Sequence, residues 1–176
     1  MKLKLMTAAL TACFMIVAAG EVQAETTVTL SEMHLCCWLC ESGVEEAVKS
    51  VDGASVIVNR EELNAVITAT DDSVAQKALD AVAAAGFHGK SDHETVIQKA
   101  NLGLKAGKVQ RLAFTGLHNC CGGCHQAIVK AIEAIPGVKA HNTKVNQDAL
   151  VVEGDFDGRA LVKSLFAAGF HVELEK

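Results

Sequence analysis

The chain has 176 residues, half of them hydrophobic, with 16 basic against 21 acidic side chains and a net charge of −5. That balance argues against binding to nucleic acid and to anionic membrane surfaces. Seven cysteines and seven histidines in a chain this short point to thiolate and imidazole chemistry instead.

The first 24 residues read as an export signal, with Lys2 and Lys4 as a basic start, Leu5 to Ala19 as an apolar run and Val22-Gln23-Ala24 as a small-residue cleavage site. The run is too short for a membrane span. A competing reading takes Leu10-Thr11-Ala12-Cys13 as a lipoprotein box with Cys13 lipidated; the apolar run continues past Cys13 through Phe14, Ile16 and Val17, which disfavours it. Cleavage after Ala24 leaves 152 residues with 14 basic and 20 acidic side chains, a net charge of −6. Export, with a periplasmic destination, places the thiols where disulfides are the default expectation.

Thr26 to Met33 opens with β-branched residues at alternate positions and predicts a strand. Met33-His34-Leu35-Cys36-Cys37-Trp38-Leu39-Cys40 follows. Val44, Ala47, Val48 and Val51 then fall on one helical face, and Asp52-Gly53 makes a turn. Val56 to Val58 and Ala65 to Thr68 predict two short strands. Asp71-Asp72 can cap a helix carrying Val74, Ala78, Leu79 and Val82, which Gly86 ends before a last short strand. The polar stretch 92–108, with Gly103 and Gly107, reads as a linker.

The same order then recurs. Val109 to Thr115 predicts a strand, and Leu117-His118-Asn119-Cys120-Cys121-Gly122-Gly123-Cys124 repeats the earlier pattern apolar-His-x-Cys-Cys-x-x-Cys 84 positions on. Ile128, Ala131, Ile132 and Ile135 mark a helix closed by Pro136-Gly137. Strands are expected near Val138 to Val145 and Ala149 to Glu153, then a helix capped by Asp157 with Leu161, Leu165 and Ala168, and a final strand from Phe170 to Leu174. Ala84-Ala85-Gly86-Phe87-His88 likewise returns as Ala167-Ala168-Gly169-Phe170-His171. Whole units are duplicated, at 25–91 and 109–176. Each reads βαββαβ, so the expected fold is α+β: two tandem ferredoxin-like sandwiches.

Six of the seven cysteines lie in the two copies of the motif. Each Cys-x-x-Cys pair sits between the first strand and the first helix, where unpaired backbone N–H groups and the helix dipole favour thiolate over thiol. Two thiolates at this spacing can approach one soft cation from a single loop, and thiolates select Cu(I), Zn(II), Cd(II) and Hg(II). The plain alternative for one pair is a structural disulfide, which the repetition of three cysteines per copy weakens.

A βαββαβ unit with Cys-x-x-Cys after its first strand resembles the heavy-metal-associated domain family, which includes copper chaperones, the N-terminal modules of metal-exporting ATPases and an exported mercury scavenger. The family motif Gly-Met-x-Cys-x-x-Cys, with an apolar residue four further on, is matched by Cys37, Cys40 and Val44 and by Cys121, Cys124 and Ile128. Its Ala-Gly-aromatic turn, which in the family packs over the metal loop, resembles Ala85-Gly86-Phe87 and Ala168-Gly169-Phe170. The resemblance implies a soft metal ion, Cu(I) first with Hg(II) or Zn(II) as alternatives, and a metal-transporting membrane protein as partner.

Both copies depart from the family in the same way. Its Gly is His34 and His118, its Met is Leu35 and Asn119, and its variable position is a further cysteine, Cys36 and Cys120. The expected metal ligands are therefore Cys37, Cys40, Cys121 and Cys124, joined by Cys36, Cys120, His34 and His118. Three thiolates would suit Cu(I), Hg(II) or Cd(II); adding the imidazole gives a closed zinc-type set. His34 and Cys36, two apart near a strand end, point the same way, so all four groups converge only if the loop bends after Leu35. His88 and His171 follow the covering turn and could reach a metal from that side; His93, His125 and His141 read as surface residues. Trp38-Leu39 stands where the second copy has Gly122-Gly123, so the first loop faces a partner or the other unit, or packs on the linker.

The leading functional expectation is an exported protein that sequesters or relays a soft metal through two loop sites. The alternatives are a thiol-disulfide redox protein or sensor using the same cysteines, and a disulfide-stabilised binding module without metal. No phosphate loop or Ser-His-Asp frame suggests another enzyme class.

Overall fold

The computed structural model describes residues 24–99 and 102–175. The expected signal segment and Cys13 lie outside the described residues, apart from Ala24 at its end. None of the described helices is long and apolar enough to cross a membrane.

The first repeat runs β1 (Thr26–Ser31), α1 (Trp38–Lys49), β2 (Ala54–Asn59), β3 (Asn64–Ala69), α2 (Asp72–Ala84) and β4 (Lys90–Ser91). Its antiparallel sheet has the order β2-β3-β1-β4, so β1 lies between β3 and β4. Val28, Leu30, Ala65, Ile67 and Ala69 alternate onto one sheet face and are buried there. Val44 and Val48 on α1 and Ala75, Ala78, Leu79 and Val82 on α2 cover that face at helical spacing. Asp71 caps α2 by accepting from Val74 N–H. Gly53 turns the chain between α1 and β2 at φ +83°, a conformation that disfavours side chains.

The second repeat follows the same order: β5 (Lys108–Thr115), α3 (Gly122–Glu133), β6 (Val138–His141), β7 (Leu150–Asp157), α4 (Gly158–Ala167) and β8 (Glu173–Leu174), in a sheet β6-β7-β5-β8. Asp157 caps α4 as the sequence suggests, accepting from Ala160 N–H. Each repeat is thus a four-stranded antiparallel sheet with two helices, and the molecule is two ferredoxin-like α+β units in tandem.

Two expected strands are shorter than the β-branched runs suggested. β6 stops at His141, because the chain then turns through Asn146 at φ 63°. That turn is held by Asn119, whose side chain donates to Lys144 O at 2.8 Å and to Thr143 Oγ1 at 3.3 Å. The last strand keeps only Glu173–Leu174. Phe170 pairs instead with Phe87 of the other repeat, in an isolated antiparallel bridge.

That bridge lies at the heart of the contact between repeats. His88 N–H donates to Gly169 O and His171 N–H donates to Gly86 O, both at 3.0 Å, so the two Gly-Phe-His turns cross as a small two-fold related pair. Gly86 and Gly169 have φ of +87° and +85°. A Cβ on Gly86 would stand 2.3 Å from His118 N, and one on Gly169 would stand 2.3 Å from His34 N. The absence of a side chain at both positions is what lets each repeat's turn sit on the other's motif loop.

The stretch between the repeats is tied to both. Gln98 is buried and donates to Phe87 O while accepting from Gly89 N–H. Gln76 of α2 bonds both main-chain groups of Ile97, and Arg159 of α4 donates to Leu104 O.

Candidate metal centre

Each motif loop starts where its first strand ends. In the first repeat Glu32 takes φ 60° and Met33 N–H donates to Leu63 O. In the second the equivalent Gly116 takes φ 75° and Leu117 N–H donates to Asp148 O. Met33 and Leu35, like Leu117 and Asn119, are buried and anchor the loop from below. Alternation then sends the intervening histidine and the following cysteine to the opposite side.

The bend needed to bring the next cysteine alongside comes at the helix start. Cys37 and Cys121 are the N-caps of α1 and α3, extended at φ −154° in both cases, and neither uses its side chain to cap the helix. Their sulfurs are left to meet those of Cys40 and Cys124, which lie in the first helical turn and are fully buried.

The six sulfurs form one cluster across the two repeats. Within the first repeat, Cys40 lies 3.8 Å from both Cys36 and Cys37. Within the second, Cys124 lies 3.7 Å from Cys120 and 3.9 Å from Cys121. Between repeats, Cys36 meets Cys121 at 3.4 Å and Cys124 at 3.6 Å, Cys120 meets Cys37 at 3.6 Å and Cys40 at 3.8 Å, and Cys40 meets Cys124 at 3.7 Å. All six are free thiols. The separations far exceed a disulfide bond of about 2.05 Å. They approach the sulfur–sulfur edge that a metal–sulfur bond of about 2.3 Å imposes, about 3.8 Å in a tetrahedral site and about 4.0 Å in a trigonal one.

Charge in the cluster is unevenly placed. Cys40 is pushed toward thiolate, chiefly because the Cys124 S–H can donate to it; burial opposes this, and His118 and the Cys37 N–H assist. Cys124 is pushed the other way by its bond to Cys40, by burial and by the Cys40 charge. These residues occupy equivalent places, so the first charge belongs to the pair, and it raises the cost of every later one. Cys36 is pushed up to about 12, first by burial and then by its bond to Cys121, and burial likewise raises Cys120. Cys121 comes down to about 7, led by the hydrogen bond from the Cys124 backbone. Six adjoining thiols can therefore ionise together only with a compensating cation among them.

Two imidazoles flank the cluster. Nε2 of His34 and of His118 is buried without a hydrogen-bond partner. A ring nitrogen of His118 and the sulfurs of Cys40, Cys120 and Cys124 all lie within 4.8 Å of one another, as do a ring nitrogen of His34 and the sulfurs of Cys36 and Cys124. Burial lowers the pKa of His34, keeping its ring neutral and its lone pair available. Each ring packs on the other repeat's aromatic, His34 on Phe170 with centroids 4.6 Å apart and His118 on Phe87 at 4.2 Å.

The eight residues picked out by the motif thus converge, but on one chamber rather than two. The Ala-Gly-Phe turn does cover a cysteine-motif loop, though that of the opposite repeat. His88 and His171 do not reach the sulfurs; their Nδ1 atoms face each other at 3.3 Å and both rings stack near Phe166. His93, His125 and His141, expected on the surface, are half-buried, and His93 Nδ1 accepts from Val96 N–H to shape its own turn. Trp38 and Leu39 are 64% and 38% exposed, so neither the linker nor the second repeat covers them. Sequence reasoning missed Gly43 and Gly123, where a Cβ would come 3.0 Å from Phe87 and 3.1 Å from the Cys36 sulfur. A glycine in an otherwise regular helix start was the available signal.

Residues 119–171, which hold Cys120, Cys121, Cys124 and the covering turn, match the heavy-metal-associated domain family. The match falls within the second repeat. The first repeat has the same elements in the same sheet order and contributes half of the cluster. No curated protein matches the chain. Among solved structures, the chain is similar to the N-terminal soluble domains of Bacillus subtilis CopA at 15% identity, with 87% of this chain and 95% of that chain covered and a TM-score of 0.33.

Proposed function

We propose that this protein binds soft metal ions, Cu(I) before Hg(II) or Zn(II), in the chamber formed by Cys36, Cys37, Cys40, Cys120, Cys121 and Cys124. The observation that carries the reading is the contact of all six free sulfurs at 3.4 to 3.9 Å. As thiolates the six sulfurs would repel one another; a monovalent or divalent soft ion offsets that repulsion and forms bonds that hard cations do not. The unpartnered Nε2 atoms of His34 and His118 add a borderline donor at each end, which is the feature that admits Zn(II) as a competitor.

The chamber suits sequestration, because Cys40 and Cys124 are closed off from solvent. Cys36 is exposed and gives an incoming ligand a place to begin exchange, which is what delivery to a metal-transporting membrane protein requires. The basic start, apolar run and Val22-Gln23-Ala24 support export to the periplasm, with the working chain beginning at Glu25.

Native mass spectrometry on the anaerobically reduced chain, offered Cu(I), Zn(II) and Hg(II) in competition, tests the reading. Retention of Cu(I), with about one proton lost per engaged thiol, is expected. No retained metal, together with rapid pairing of the thiols as disulfides, would replace it with the redox reading.

A further inference from the structure

Why does each repeat carry a third cysteine ahead of its Cys-x-x-Cys pair? The soft-metal reading above leaves open how six sulfurs are shared, and this inference rests on it. At 3.9 Å or less the sulfur–sulfur contacts divide the six atoms into two closed triangles in a single way; the alternative that groups Cys36, Cys37 and Cys121, leaving Cys40, Cys120 and Cys124, closes only at the wider limit of 4.8 Å. One triangle is Cys37, Cys40 and Cys120, with edges of 3.8, 3.6 and 3.8 Å. The other is Cys121, Cys124 and Cys36, with edges of 3.9, 3.4 and 3.6 Å. The division in which each repeat uses its own three cysteines leaves Cys36–Cys37 and Cys120–Cys121 outside those contacts.

We infer that the chamber holds two three-coordinate soft-metal sites, each built from one repeat's Cys-x-x-Cys pair and completed in trans by the other repeat's additional cysteine. Cys120 is the third ligand for Cys37 and Cys40, and Cys36 is the third ligand for Cys121 and Cys124. The two triangles exchange under the same two-fold relation that exchanges the Gly-Phe-His turns. Room for the exchange is built in: Gly123 lies so close to the Cys36 sulfur that a Cβ there would stand 3.1 Å from it. Metal affinity and association of the repeats are therefore linked, since separating the repeats removes one sulfur from each site.

The arrangement is tested on the full chain carrying Cys121→Ser and Cys124→Ser, which keeps one complete triangle. Anaerobic Cu(I) titration against a chromophoric chelator gives the affinity, and X-ray absorption counts the sulfurs around copper. One Cu(I) bound by three sulfurs is expected. Adding Cys120→Ser should weaken binding at least tenfold and reduce the count to two, whereas adding Cys36→Ser should weaken it much less and keep the count at three. A larger loss from Cys36→Ser, or equal losses from both, overturns the trans assignment while leaving soft-metal binding intact. Absence of any Cu(I) binding in the parent and in both reduced variants overturns the two readings together. The mirror background, Cys37→Ser with Cys40→Ser, must show the opposite order, and it decides the matter if the first background does not fold.

Discussion

The two motif loops carry the same histidine and cysteines at the same places, yet they are built differently between those residues. The first has Trp38-Leu39 between its paired cysteines, large and partly exposed; the second has Gly122-Gly123. The loops face each other, and only one of them needs to give way. Gly123 makes room for Cys36, while Trp38 and Leu39 point outward beside the first pair. The loop entrances differ in the same spirit: the left-handed position is Gly116 in the second repeat and Glu32 in the first. A duplicated unit that docks on its twin keeps its motif cysteines and histidine in both copies, while the steric concession at these positions falls on the second loop.

The largest effect should come from breaking the docking itself. Gly169→Val places a side chain against His34 N and Cβ at φ +85°. The left-handed conformation alone costs about 1–2 kcal/mol for such a residue, and the clash adds to it. Tm should fall, small-angle scattering should show the repeats apart, and copper should be bound at lower affinity. Retention of a compact shape and wild-type affinity would show that the turn does not set the interface.

A smaller effect should follow from making the second loop resemble the first. Gly123→Leu drives a side chain toward the Cys36 sulfur, with Cβ at 3.1 Å before any relaxation. We expect Cu(I) affinity to fall several-fold with little change in Tm, read by chelator competition and calorimetry. If affinity is unchanged, the difference between the loops carries no steric meaning.

The smallest effect concerns the paired histidines behind the turns. Burial, with His171 beside it, holds His88 at about 4 against an ordinary 6.5. Burial also lowers His171, although Glu173 and Asp80 pull it back up. The unfolded chain takes up protons below pH 6.5 that the folded pair refuses, so the stability linked to this pair is complete above pH 6.5 and declines as pH falls toward 4. Scanning calorimetry across that window should show Tm falling with acidity, and falling less steeply in His88→Asn. Identical slopes would exclude the pair as its source.

Much of the fold is legible in the chain because local rules and global arrangement agree. Alternation at Val28 and Leu30, the Asp71 and Asp157 caps and the helical spacing of Ile128 and Ile132 all give their elements correctly. The reading fails at Phe87 and Phe170, whose short apolar runs look like strand starts but bridge across repeats instead. It also overextends β6, since nothing local to residues 142–145 announces that Asn119 will hold them.

The sequence by itself determined the duplication, the βαββαβ order and which six cysteines and two histidines make up the repeated motif, because each depends on residue type and on spacing along one stretch of chain. Only the tertiary structure decided that these side chains share one chamber. Which loop a turn covers, and whose cysteine lies beside whose pair, depends on two surfaces meeting across about 84 residues of sequence. Pattern along the chain does not encode that meeting. It is fixed by close packing of Gly86 and Gly169 against the opposite loops, where the lack of a side chain permits backbone contact and any side chain forbids it.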